Sequence, residues 1–70
     1  MIVEYDTNTD MLYLRLSEGE HTLINKRVSE DIVLDIGEND KIIGIEILDA
    51  SQHVTLKDLL PVQYKLPKAG

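Results

Sequence analysis

The chain of 70 residues contains no cysteine, which removes disulfide bonds, thiolate chemistry and the cysteine-rich zinc sites that staple many small domains. Such a chain suits a reducing compartment, and a cytoplasmic location is the expectation. Phenylalanine and tryptophan are absent as well, and three tyrosines are the whole aromatic complement, so leucine and isoleucine must supply the apolar side. Basic residues are scarce: seven Lys and Arg stand against thirteen Asp and Glu, a formal charge of -6. A surface of that sign repels phosphate backbones and anionic headgroups, which counts against nucleic-acid binding through a basic patch. The body of the chain is the acidic part, while the last fifteen or so residues hold Asp58 against Lys57, Lys65 and Lys68. Long apolar stretches are missing too. Runs such as Ile32-Val33-Leu34 fall far short of the roughly 20 residues a membrane helix needs, and no basic stretch precedes an apolar one at the N-terminus.

What is present is 43% hydrophobic and 29% charged residues, the composition of one small folded domain. Domains of this length bury only about 60% of their unfolded surface, so apolar area covered by another chain adds stability that the fold alone lacks.

Alternation of side chains is the main structural signal, because neighbours in a strand point to opposite faces. Ile2 to Asp6 alternates, and Met11 to Leu16 does so more clearly, with Leu12, Leu14 and Leu16 on one side. Thr7-Asn8-Thr9 between them is turn chemistry, which makes a hairpin. Thr22 to Ser29 is a third, weaker strand. Asp31 to Ile36 and Lys41 to Leu48 are rich in β-branched residues, joined by the polar turn Gly37-Glu38-Asn39-Asp40 into a second hairpin. After Leu48, Asp49-Ala50-Ser51 can cap a helical turn. Thr55 and Asp58 resemble a capping box ahead of Leu59-Leu60, and Pro61 stops that helix. The expectation is an α+β, mainly β fold: an antiparallel sheet of four to five strands built from two hairpins, with a short C-terminal helix and a meander as the simplest topology. The domain should span residues 1–61, followed by a weakly ordered tail at 62–70.

A helix presenting Leu56, Leu59 and Leu60 covers only one face of such a sheet. Apolar residues lie on both sides of the strands, so the second face or an edge strand is expected to meet another copy, with a dimer as the simplest assembly, or a protein partner, plausibly basic given the chain's charge. Tyr5, Leu14, Gly44 and Ile45 are the structural and interaction positions singled out. Gly44, inside a strand, marks a bulge or the close approach of a bulky neighbour such as a tyrosine ring from the opposite strand.

Motifs for chemistry are weak. Asp6-Thr7-Asn8-Thr9-Asp10 begins like a calcium loop, but Met11 stands where the sharp turn needs glycine and Ser17 where a bidentate Glu belongs. Asp35 and Glu46 could approach across the second hairpin, and with Asp49 they are the candidate metal or acid–base residues; a solvated polar face is the plainer reading. His21 and His53 have no metal-ligand spacing, and Ser17, Ser29 and Ser51 lie in no nucleophile-elbow pattern. No phosphate cradle or other cofactor motif is present. The leading expectation is therefore a non-enzymatic interaction module, the alternative a small metal-dependent enzyme or ligand-binding protein using the acidic cluster.

Tyr5-Asp6-x-x-x-Asp10-x-Leu12-Tyr13-x-x-Leu16, the Ile32-Val33-Leu34-Asp35 strand, and Lys41-Ile42-Ile43-Gly44-Ile45-Glu46-Ile47-Leu48-Asp49-Ala50-Ser51 together resemble the domain-of-unknown-function family 2283, short prokaryotic proteins. The resemblance covers about residues 2 to 60. It implies a small antiparallel sheet with a C-terminal helix and brings no catalytic residues with it. Asn39-Asp40 stands where members commonly have Asp-Gly. Members sometimes occur beside small toxin-like proteins, which suggests an antitoxin-like role by association.

Overall fold

The alternating residues at the start of the chain form a hairpin in the computed structural model, which describes residues 1–67. Strand β1 (Ile2–Asp6) pairs antiparallel with β2 (Met11–Arg15), Val3 opposite Leu14 and Tyr5 opposite Leu12. Asp6 closes the turn: its Oδ1 accepts hydrogen bonds from the backbone N–H groups of Asn8, at 2.8 Å, and Thr9, at 3.4 Å. Local backbone bonding of this kind is what short acidic side chains do in turns, and it accounts for the calcium-loop-like spacing.

The β-branched segments form β4 (Ile32–Ile36) and β5 (Ile42–Ile47), and the weaker third segment forms β3 (Ile24–Arg27). The turn between β4 and β5 holds two successive left-handed residues, Asn39 at φ 57° and Asp40 at φ 59°, and the Lys41 N–H donates to the Glu38 carbonyl at 3.2 Å. Two positive φ values in the central positions match the twist of the flanking strands, which is why Asn-Gly is the favoured pair in such turns. Aspartate in the second position is strained, since a Cβ in the left-handed region costs about 1–2 kcal/mol. Asp40→Gly is expected to recover part of that, about 0.5–1 kcal/mol net of the glycine's own entropy, and to raise Tm by roughly 2–8 °C. A thermal melt at or below that of the wild type would contradict this account of the turn.

All five strands make one antiparallel sheet in the order β1-β2-β5-β4-β3. The two expected hairpins are present, but the sheet is not a meander: the last strand lies between β2 and β4. Strands β2 to β5, read backwards, form a Greek key. The physical reason lies in composition. Strand β5, Ile42-Ile43-Gly44-Ile45-Glu46-Ile47, is the richest in isoleucine and takes the centre, where both of its sides are paired, whereas Glu4 and Asp6 sit on one edge strand and Lys26 and Arg27 on the other. Residues 16–23 carry the chain from β2 to the far edge, a crossing of three strand spacings of about 4.8 Å each, well within their reach.

Directly opposed residues share a face. Val3, Leu14, Ile45, Leu34 and Lys26 form one row across the whole sheet, and Tyr5, Leu12, Ile47 and Ile32 the next. This is the apolar face, and its core is Leu12, Ile47 and Ala50, against which Val3, Leu14, Ile45, Val54, Leu56 and Leu59 pack. The opposite face is polar: one of its rows reads Glu4, Tyr13, Glu46, Val33, Arg27, and the next Ile2, Arg15, Gly44, Asp35, Asn25.

The expected C-terminal helix is replaced by two single 3-10 turns, Ala50–Gln52 and Leu56–Asp58. Nucleating a helix fixes several residues for one hydrogen bond, and short segments do not recover that cost. Val54 and Thr55 are β-branched, and Pro61 drives Leu60 away from helical geometry, so the segment is cut short at both ends. Thr55 makes no side-chain cap. Leu56 and Leu59 still reach the core, whereas Leu60 is exposed. Residues 62–67 carry no helix or strand; the end of the expected tail, residues 68–70, lies outside the described residues. None of the helical segments described is long and apolar enough to cross a membrane.

Candidate functional site

Three polar clusters gather the chemically capable side chains. The first joins the first hairpin to the turn after β5. Asp10, which follows the hairpin loop at φ 55°, accepts hydrogen bonds from Ser51 Oγ at 2.6 Å, from Tyr5 Oη at 2.6 Å and from the Ser51 backbone N–H at 3.1 Å. Its own carbonyl accepts from the Ala50 N–H at 2.8 Å. The Ser51 hydroxyl, then the Tyr5 hydroxyl, hold the Asp10 carboxyl below the usual carboxylate range, and the same contact raises Tyr5. A carboxylate stabilised in this way is a poor proton acceptor at neutral pH. No imidazole bonds to Ser51 here; the nearby His53 instead pairs through Nε2 with Asp31 Oδ2 at 2.8 Å. The hydroxyl and imidazole of Asp49-Ala50-Ser51-Gln52-His53 thus serve different partners, and the cluster fastens two distant loops together.

The second cluster lies on the polar face over Gly44. The Tyr13 ring crosses this glycine so closely that a Cβ at position 44 would overlap it, and its hydroxyl donates to Asp35 Oδ2 at 2.9 Å. Asn25 Nδ2 donates to the other oxygen, Asp35 Oδ1. Burial first, and then the Asp35 hydrogen bond, push the Tyr13 phenol up. Asp35 is 8% exposed, and it is the one buried charged residue of the sheet among those described. Glu46 lies on the same face, two residues from the Gly44 that faces Asp35, so the two carboxylates are diagonal neighbours. Asp49 lies beyond the end of β5 in a left-handed conformation. Both Asp35 oxygens are already engaged, and among the described residues no group of three or more His, Asp or Glu side chains is placed to hold a metal ion. Beside this cluster a shallow groove is lined by Glu4, Tyr5, Asp6, Thr7, Met11 and Tyr13.

The third cluster clasps the long connection. His21 presents Nδ1 to Glu38 Oε2 at 3.0 Å and Nε2 to the Glu18 carbonyl at 2.7 Å, while the Thr22 N–H donates to Glu38 Oε1 at 3.0 Å. Both ring nitrogens face acceptors, an arrangement only the protonated imidazolium satisfies by donating twice. The Glu38 hydrogen bond, followed by the Glu18 carbonyl, raises His21 above 6.5, and the His21 and Thr22 contacts lower Glu38 from 4.5 to about 2. The raised His21 contributes stability below pH 6.5 and loses it as pH rises through its folded value. The depressed Glu38 contributes above pH 4.5 and loses it as pH falls towards 2. The clasp is therefore strongest between these limits. In His21→Gln the loss of Tm relative to wild type is expected to be larger near pH 5.5 than near pH 9; a constant difference between the two would show that His21 does not titrate against Glu38.

Of the positions the sequence marks, Leu14 and Ile45 are half-buried cross-strand partners against the core, Tyr5 belongs to the Asp10 cluster, and Gly44 lies under Tyr13. Asn25, Glu38 and the partnership of His53 with Asp31 carry no advance signal, because each depends on a contact between separate strands or loops. The described polar side chains with fully buried atoms all have hydrogen-bond partners.

In comparison with known proteins, the family model described as "Protein of unknown function (DUF2283)" fits residues 2–51. No curated protein and no solved structure matches the chain.

Proposed function

We propose that this chain, which belongs to the DUF2283 family, is a non-enzymatic protein-interaction module that associates with copies of itself. The open β3 edge carries the reading. All four residues of β3 are exposed, and Ile24 is 71% exposed. Register places Ile24, Ile36 and Ile42 in one cross-strand row, with Leu16 and Leu23 exposed in the connection that leads into β3. An unpaired strand edge flanked by apolar side chains is a template for a further strand. The engagement of Asp10, Asp35 and Glu38 by neighbouring groups supports a structural over a catalytic use of the acidic residues.

The net charge and the groove holding Glu4 and Asp6 extend the reading to a basic protein partner, of which an antitoxin-like role is one form. The decisive experiment is sedimentation of the wild type and Ile24→Lys over a range of concentrations. The wild type should exceed monomer mass, and Ile24→Lys, which alters an exposed side chain, should stay folded and sediment as a monomer. A wild type that stays monomeric throughout would remove the proposal.

A further inference from the structure

The two open edges of the sheet differ in sign. Strand β1 carries Glu4 and Asp6, and β3 carries Lys26 and Arg27, two of only seven basic residues in the chain. Among the described residues the ion pairs are His21 with Glu38 and His53 with Asp31; Lys26 and Arg27 join neither, and the Arg27 side chain donates to the Glu30 carbonyl. Placing β3 beside β3 of another copy would set base against base. Placing β1 beside β1 would set acid against acid, and like charges opposed across strands are destabilising.

Unlike edges fit one another. Every neighbouring pair in the sheet is antiparallel, so in a five-stranded order the two edge strands run in the same direction. A second copy displaced sideways in the plane of the sheet then extends it through a parallel β3–β1 junction, with both faces preserved. The polar-face row that ends in Arg27 begins with Glu4, so that displacement brings the Arg27 guanidinium of one copy beside the Glu4 carboxylate of the next.

We propose that copies of this chain join through unlike edges, β3 of one against β1 of the next. The inference rests on the self-association reading above and adds which edge meets which. Contacts of this head-to-tail kind build rings or open chains rather than a two-fold dimer, so assembly passes beyond two copies as concentration rises, and salt that screens exposed charges weakens it.

Two charge reversals, Glu4→Arg and Arg27→Glu, test it by sedimentation at low salt, with thermal melts confirming that each variant is folded. Each alone should associate about tenfold more weakly than wild type, since each sets like charges against each other. Mixed in equal amounts the two should recover wild-type assembly, because every junction between unlike variants again pairs opposite charges. If Glu4→Arg associates as the wild type does, β1 is not part of the contact and the proposal is overturned while self-association stands. A monomeric wild type removes both. Should either reversal fail to fold, Glu4→Gln and Arg27→Gln serve in its place: weakened association in both supports the proposal, and wild-type association in either overturns it.

Discussion

Gly44→Ala is expected to destabilise the sheet by about 1–3 kcal/mol, the usual cost of forcing extra volume into a packed site, even though alanine is the better strand residue. The alanine methyl would occupy the space of the Tyr13 ring. To make room the ring must swing away, which also breaks its hydrogen bond to Asp35. The φ of Gly44 is not in the left-handed region, so backbone strain makes no contribution and the ring alone sets the cost. The same substitution made in a Tyr13→Ala background should therefore cost nothing, or stabilise by about 0.5–1 kcal/mol through the entropy that alanine saves relative to glycine. Urea titration of the four proteins of this double-mutant cycle measures the coupling directly. An equal cost in both backgrounds would assign Gly44 some role other than accommodating the tyrosine.

Leu12→Ala should have the largest effect of any single truncation in the first hairpin. Leu12 is fully buried, at 0% exposure, and touches the cluster formed with Ile47 and Ala50. Buried leucine-to-alanine changes cost about 2–5 kcal/mol, whereas a domain of this size has roughly 4–10 kcal/mol in all on the usual per-residue scale. The variant should thus lose a large part of its stability, with Tm falling by at least roughly 8 °C. Leu14→Ala, at a half-buried position on the same face, should cost less. A Leu12→Ala protein within about 1 kcal/mol of wild type would mean that the apolar face is covered differently.

The local elements were legible because they are written in neighbouring residues. Met11 to Arg15 alternates, the Asp6 to Asp10 segment has turn chemistry, and the isoleucines of β5 favour a strand; all three signals act over a few positions. Strand order was not legible, since it depends on which apolar stretch takes the centre, a competition among all five strands. The C-terminal helix was misread because Leu56, Leu59 and Leu60 have helical spacing, while the nucleation cost and the reach of Pro61 work against it. Among site residues, Gly44 could be found from sequence because glycine inside a β-branched strand is anomalous on its own. Asp10 with Ser51 and His21 with Glu38 could not, as a hydrogen bond between distant loops leaves no periodic trace. Once seen, the Asp10 cluster ties together Tyr5, Asp10, Ala50 and Ser51, which stand far apart in the chain and meet in one network.

The central place of the last strand governs the order of events in folding. Without the residues that follow Lys41 the chain can form the β1–β2 hairpin and the β3–β4 pair, but nothing joins the two. Strand β5 pairs with both halves, so the sheet closes only once it is in place. Such non-local pairing also slows folding relative to a hairpin-by-hairpin design of equal length. Any chain terminated before Ile47 would have both halves and no centre, and should be degraded rather than accumulate as a smaller domain.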